Sequence, residues 1–149
     1  MKLDSNLAMK GRLTIAINDE IVRDIDNLVV NTGKNYVANR MQSDVSGGSP
    51  LMSHMAIGAG VSAAGATDSA LGDQKARVAL NANSPTLSGA TVTYVATFNA
   101  NTPSSAAAIT EAGIFNDSST GTMLCRTVFD VVNKQPSDSM TITWAVTAS

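Results

Sequence analysis

His54 and Cys125 are the only imidazole and the only thiol in this chain. A Ser-His-Asp or Cys-His relay needs a nucleophile, a base and an orienting group within hydrogen-bond reach, so it would have to run through His54. His54 lies between Ser53 and Met55, in a segment with strand alternation and no nucleophile elbow. It reads as a structural or interface histidine. Cys125 lies between Leu124 and Arg126 in an apolar run, where a free thiol acts as a small buried hydrophobe. One His and one Cys cannot supply the soft ligands of a four-coordinate zinc site.

Gly58-Ala59-Gly60 is followed next by Gly65, and no Lys-Ser/Thr pair comes after it. That spacing fits neither the dinucleotide fingerprint nor the P-loop. These glycines read as loop positions with positive φ or close backbone approach. Glycosidase chemistry needs two carboxylates across a cleft, and Glu20 and Glu111 are the only glutamates beside a larger set of aspartates. Glu111 stands out because Thr110-Glu111-Ala112-Gly113 interrupts an otherwise apolar strand. A buried carboxylate must pair or shift its pKa, and Arg126 on the next strand is the expected partner. Asn116-Asp117-Ser118 matches a glycosylation sequon, which carries no meaning without secretion. Trp144 and Tyr94 could stack on a sugar, but their in-phase apolar neighbours assign them to a core. The expectation is a protein without catalytic residues, cofactor or metal.

The elements that must position these residues are strands. Leu13, Ile15 and Ile17 alternate with polar or small residues over Arg12–Asn18, and Asn18-Asp19-Glu20 forms a turn. Ile21–Val30 is a second strand whose phase changes at Asp26-Asn27, where a bulge is expected. Thr32 is placed as the N-cap of one short helix running to Gln42, with Val37 and Met41 on one face. Gly47, Gly48 and Pro50 close the loop behind it. Further strands are predicted over Leu51–Gly58, Lys75–Asn81, Thr91–Asn99, Ala107–Asn116 and Thr122–Asp130, with a last one built on Met140, Ile142, Trp144 and Val146. Eight strands and one short helix predict an all-β fold, an eight-stranded antiparallel jelly-roll-like sandwich. Residues 1–11 are read as an N-terminal arm and 12–149 as a single β-sandwich domain.

Charge is scarce and unevenly placed. Charged residues make up 15% of the chain, against a usual value of about 25%. Half of them fall within residues 1–40, and there are none from Val45 to Thr67 or from Val78 to Thr110. Uncharged Ser, Thr and Ala surface is cheap to desolvate, which suits permanent burial against partners. The net charge is −2 and the basic residues do not cluster, so nucleic-acid binding is not expected. No apolar run approaches the roughly 20 residues of a membrane span, and the N-terminal residues lack a long apolar stretch. The expectation is a chain made in a reducing cytoplasm that stays there or leaves inside an assembly.

Several segments in order carry a family resemblance. Asn31-Thr32-Gly33-Lys34-Asn35 leads into the helix. Met55-Ala56-Ile57-Gly58-Ala59-Gly60 precedes Ala66-Thr67-Asp68-Ser69-Ala70-Leu71-Gly72. Then come Glu111-Ala112-Gly113-Ile114-Phe115-Asn116, Thr122-Met123-Leu124-Cys125-Arg126-Thr127-Val128-Phe129 and Thr141-Ile142-Thr143-Trp144. From about residue 12 to 148 the chain resembles small structural proteins of tailed-phage virions, of the jelly-roll capsid cement or decoration type. It departs from the commoner pattern at Cys125, where Ala is usual; both are small and tolerate burial.

The resemblance implies a contact-only subunit of the virion, assembled in the host cytoplasm. Its expected partners are itself, as a homotrimer, and the major capsid protein. The alternative is a tail, neck or fibre component contacting the host surface, with a host glycan as partner. Under the first reading, Lys2, Asp4, Lys10 and Arg12 contact the capsid. Gly60, Val61, Ser62, Asn83, Pro85 and Leu87, in the two uncharged tracts, form the oligomer interface.

Overall fold

Alternation in β1 (Met9–Ile17) buries Leu13 and Ile15 completely while Lys10 and Arg12 stay exposed. The same rule, successive side chains on opposite faces, shapes the rest of the sheet. The computed structural model describes residues 7–42 and 49–148. After β1 come β2 (Glu20–Val29), α1 (Asn31–Gln42), β3 (His54–Gly58), β4 (Gln74–Ala79), β5 (Thr86–Ser88), β6 (Thr91–Phe98), β7 (Ala107–Phe115), β8 (Met123–Lys134) and β9 (Met140–Ala148). Among the described residues the fold is all-β with a single short helix. Every strand pairing is antiparallel, in the order β4-β3-β7-β8-β2-β1-β9-β6-β5.

This sheet curls back on itself. Leu13, Phe98, Ile142 and Trp144 from one half share a core with Met55, Ile57, Ile109 and Ile114 from the other. Burying each such side chain stabilises the fold by roughly 1.5–3 kcal/mol. The two ends of the sheet approach where Asn81 N–H donates to Val95 O at 2.8 Å.

The turning point of the curl is β2. It pairs with β1 as far as Asn27, opposite Gly11, and then with β8 through Leu28 and Val29. The phase change at Asp26-Asn27, expected as a bulge, is therefore a change of partner strand; the bulge lies nearer the turn, at Val22 of β2, opposite Ile15 and Ala16.

Several sequence expectations are corrected here. Among the described residues there are nine strands rather than eight: the extra one, β5, has three exposed residues, too few for alternation to reveal. The pairs β1–β2, β3–β4, β5–β6 and β7–β8 are each adjacent in the sheet, so it is assembled from hairpins and not in the order of a double Greek-key jelly roll. Thr32 does not cap α1: the helix begins at Asn31, and Thr32 Oγ1 donates to Met123 O at 2.7 Å, tying the helix to β8. β1 also begins at Met9, so Lys10, placed in the arm by the sequence reading, belongs to the sheet. β8 extends to Lys134, whose ammonium donates to Asn99 O and Asp138 O at 3.2 and 2.8 Å.

Candidate functional site

An irregularity in the β7–β8 ladder between Ile109 and Glu111 sets the local geometry. It resets the alternation, so that Ile109, Ala112 and Ile114 all enter the main core. Phe115 packs in a second cluster with Ala56 and Met123. Glu111 itself is fully buried under the loop joining β3 to β4. Its Oε1 accepts the N–H groups of Gly60 and Asp73 at 2.9 and 2.7 Å, and Oε2 accepts that of Gly72 at 2.9 Å. Arg126 completes the set: Nη2 and Nε donate to Oε2 at 2.8 and 3.0 Å. The expected Glu111–Arg126 pair is thus present.

Arg126 also reaches outward, to Asp68 Oδ2 at 2.8 Å and to Ser62 O at 3.1 Å. Thr110 Oγ1 donates to Gly60 O at 2.7 Å. Burial by itself pushes the Glu111 carboxyl up, but the N–H groups of Asp73 and Gly72, the Arg126 guanidinium and the Gly60 N–H outweigh it and hold the group below the usual carboxylate range. Asp68 is likewise held down, first by the Gly65 N–H and then by Arg126. The glycines of this loop serve close approach: a β-carbon at Gly58 or Gly60 would crowd Glu111 Oε1.

The result is a loop of fixed backbone with an apolar tip. Gly60 and Ser62 are both bonded to the buried cluster, and Val61 between them is 78% exposed. Near it lie Leu28 and Val128.

A second apolar surface lies elsewhere. Where α1 crosses the ends of β6 and β9, a cleft of about 450 Å³ opens, lined by Val37, Leu51, Pro85, Val92, Tyr94 and Val146 among others. Among the described residues Arg40 is its only charged lining residue. Leu7, Met41 and Leu51 border it and are exposed. Leu87 of β5 pairs with Val92, which pairs with Val146, so the three share one face and Leu87, 75% exposed, extends the apolar row.

The residues proposed as an oligomer interface therefore fall into two separate groups. Gly60, Val61 and Ser62 sit at the tip of the clamped loop; Pro85 lines the cleft, Leu87 extends its apolar row, and Asn83, just before β5, has a positive φ of 65°. Of the residues expected from the sequence to contact a capsid, Lys10 and Arg12 are exposed on β1. Arg12 is engaged by Asp24, to which Nε and Nη2 donate at 2.8 and 2.9 Å. Lys2 and Asp4, like Gly47 and Gly48, lie outside the described residues. The cleft itself was missed in the sequence. The Val37–Met41 pair was its one visible signal, since the facing residues come from β6 and β9.

His54 Nδ1 lies 2.8 Å from Ser53 Oγ. Among the described residues no carboxylate bonds the imidazole, so this contact between chain neighbours lacks the orienting third member of a relay. Cys125 is fully buried, which pushes its thiol up and away from nucleophilic character. Trp144 is fully buried and Tyr94 nearly so, which leaves no sugar-stacking platform. Among the described residues no cluster of His, Cys, Asp and Glu has the arrangement of a metal site. No helix there is long and apolar enough to cross a membrane. No family model, curated protein or solved structure matches this chain.

Proposed function

We propose that this chain is a non-enzymatic structural protein of a tailed-phage particle, a cement or decoration subunit that stabilises the assembled head. It acts through contacts with itself, as a homotrimer, and with the major capsid protein. One observation carries the reading: two uncharged tracts present Val61, in the loop after β3, and Leu87, in β5, at 78% and 75% exposure. Monomeric proteins cover such positions with mixed charge, and pre-ordered apolar tips reduce the entropy lost on docking. The ordered segments that resemble virion proteins support the same assignment. The role needs no cofactor, nucleic acid or membrane, and places the protein in the virion after assembly in the host cytoplasm.

Particles purified through a density gradient and probed for this chain test the proposal. It should band with filled heads, and heads lacking it should open at lower temperature. A chain found only in the soluble lysate contradicts the reading, as does hydrolytic activity in the pure protein.

A further inference from the structure

We infer that the loop joining β3 to β4, residues 59–73, is a strap latched by the ionised side chain of Glu111. Neutralising that carboxylate opens the loop as a unit while the sheet stays folded. The first support is that one carboxylate holds both ends of the loop. Glu111 accepts the N–H of Gly60 at the start and those of Gly72 and Asp73 at the end. It also fixes Arg126, which holds the middle of the loop at Ser62 O and Asp68 Oδ2.

The second support is the direction of these bonds. Five N–H donors converge on the two Glu111 oxygens, three from the loop and two from Arg126. An ionised carboxylate only accepts, at about four lone-pair sites. Protonation turns one oxygen into a donor, and whichever oxygen takes the proton, at least two N–H donors already face it. It also leaves Arg126, only 3% exposed, with Asp68 as its remaining ion pair. A buried charge short of a partner is costly, and opening the loop admits water to it.

The third support is how little else ties the loop down. Among the described residues only Leu71 of this loop packs against a core cluster, and Val61, Ser62 and Ala63 are exposed. Its ties to the rest of the chain apart from Glu111 and Arg126 include Thr110 Oγ1 to Gly60 O and Asn31 N–H to Ala66 O. The sheet beneath has its own support: β3 pairs along its length with β4 and β7, and Met55 and Ile57 are fully buried. Segments with few buried apolar contacts open at lower cost than the core.

The charges around the latch set its pH range. Arg126 of β8 is the cation that faces Glu111; Asp68 and Asp73 are the acids of the loop, Lys75 of β4 pairs with Asp73, and Asp26 of β2 lies beside Val61. The folded Glu111 carboxyl is held below its ordinary value. The latch therefore holds at neutral pH and lets go only in acid, below about pH 4.3.

Amide hydrogen exchange followed by NMR tests this on the full chain, with wild type, Glu111→Gln and Asp68→Asn compared at pH 7. Glutamine places an amide donor where one carboxylate oxygen stood, so it mimics the neutral state. In Glu111→Gln the amides of Gly60, Gly72 and Asp73 should exchange at least about tenfold faster, as expected for losing hydrogen bonds to a charged group. Protection of β6 and β9 and the Trp144 fluorescence should stay unchanged. Asp68→Asn loosens only the middle of the loop, so the same three amides should keep their protection. If Glu111→Gln does not fold, wild type brought stepwise from pH 7 to pH 2, with rates corrected for intrinsic exchange, should lose loop protection before that of β6 and β9. Loop and sheet opening together, a loop that stays protected without the charge, or Asp68→Asn matching Glu111→Gln overturns the inference. Residence on the head is judged separately by the gradient experiment.

Discussion

Asn27 Oδ1 accepts the indole N–H of Trp144 at 2.8 Å, and this bond lies where β2 leaves β1 for β8. Gly11, directly opposite Asn27, makes it sterically feasible: a β-carbon there would collide with the Asn27 amide. The largest buried side chain thus has its one polar atom satisfied at the turning point of the sheet. Gly11→Ala should destabilise the protein by about 1–3 kcal/mol, the usual cost of overpacking. Trp144→Ala should cost about 3–5 kcal/mol. Chemical denaturation checks both values. A red-shifted, readily quenched Trp144 emission in the native state would contradict the packing.

Glu111→Gln should cost about 3–5 kcal/mol, because it leaves the buried Arg126 guanidinium short of a partner. The pH dependence follows from the direction of the shift. The folded-state carboxyl is held below its ordinary value, so its contribution is complete above the unfolded value of about 4.3 and fades as pH falls from there toward the folded pKa. Wild-type melting temperature should drop on acidification below that point, and the Gln variant should drop less. Parallel slopes for the two proteins would exclude Glu111 as a source.

Cys125 should resist thiol reagents in the native protein and react only on unfolding, since it is fully buried with its thiol pushed up. Cys125→Ala should cost about 1 kcal/mol, typical of a small core truncation. Rapid labelling under native conditions would contradict the burial.

His54→Ala should leave assembly intact and reveal no lost hydrolysis, because the Ser53–His54 contact has no orienting carboxylate among the described residues. Esterase and peptidase assays on both forms are the check. Activity in wild type that disappears in the variant would overturn the non-enzymatic reading.

Side-chain alternation made β1, β6 and β9 legible from sequence, because each buries one face and leaves the other half-buried or exposed. The Glu111–Arg126 pair was legible too, since an acid breaking an apolar strand requires a counter-charge nearby. β5 was not: three exposed residues carry no periodic signal, and only pairing with β6 makes them a strand. Strand order was equally hidden, because alternation reports a buried face and not the neighbouring strand. The cleft escaped for a related reason. Tyr94 and Val146 meet only through the pairing of β6 with β9, and Leu51 reaches them from a segment far away in sequence.

Copy number in purified particles tests the central claim most directly. Quantitative mass spectrometry should find this chain in many copies per particle, in fixed proportion to the major head subunit, and in multiples of three if it assembles as the proposed homotrimer. A few to some dozens of copies, or none in the particle, would contradict a cement or decoration role on the head.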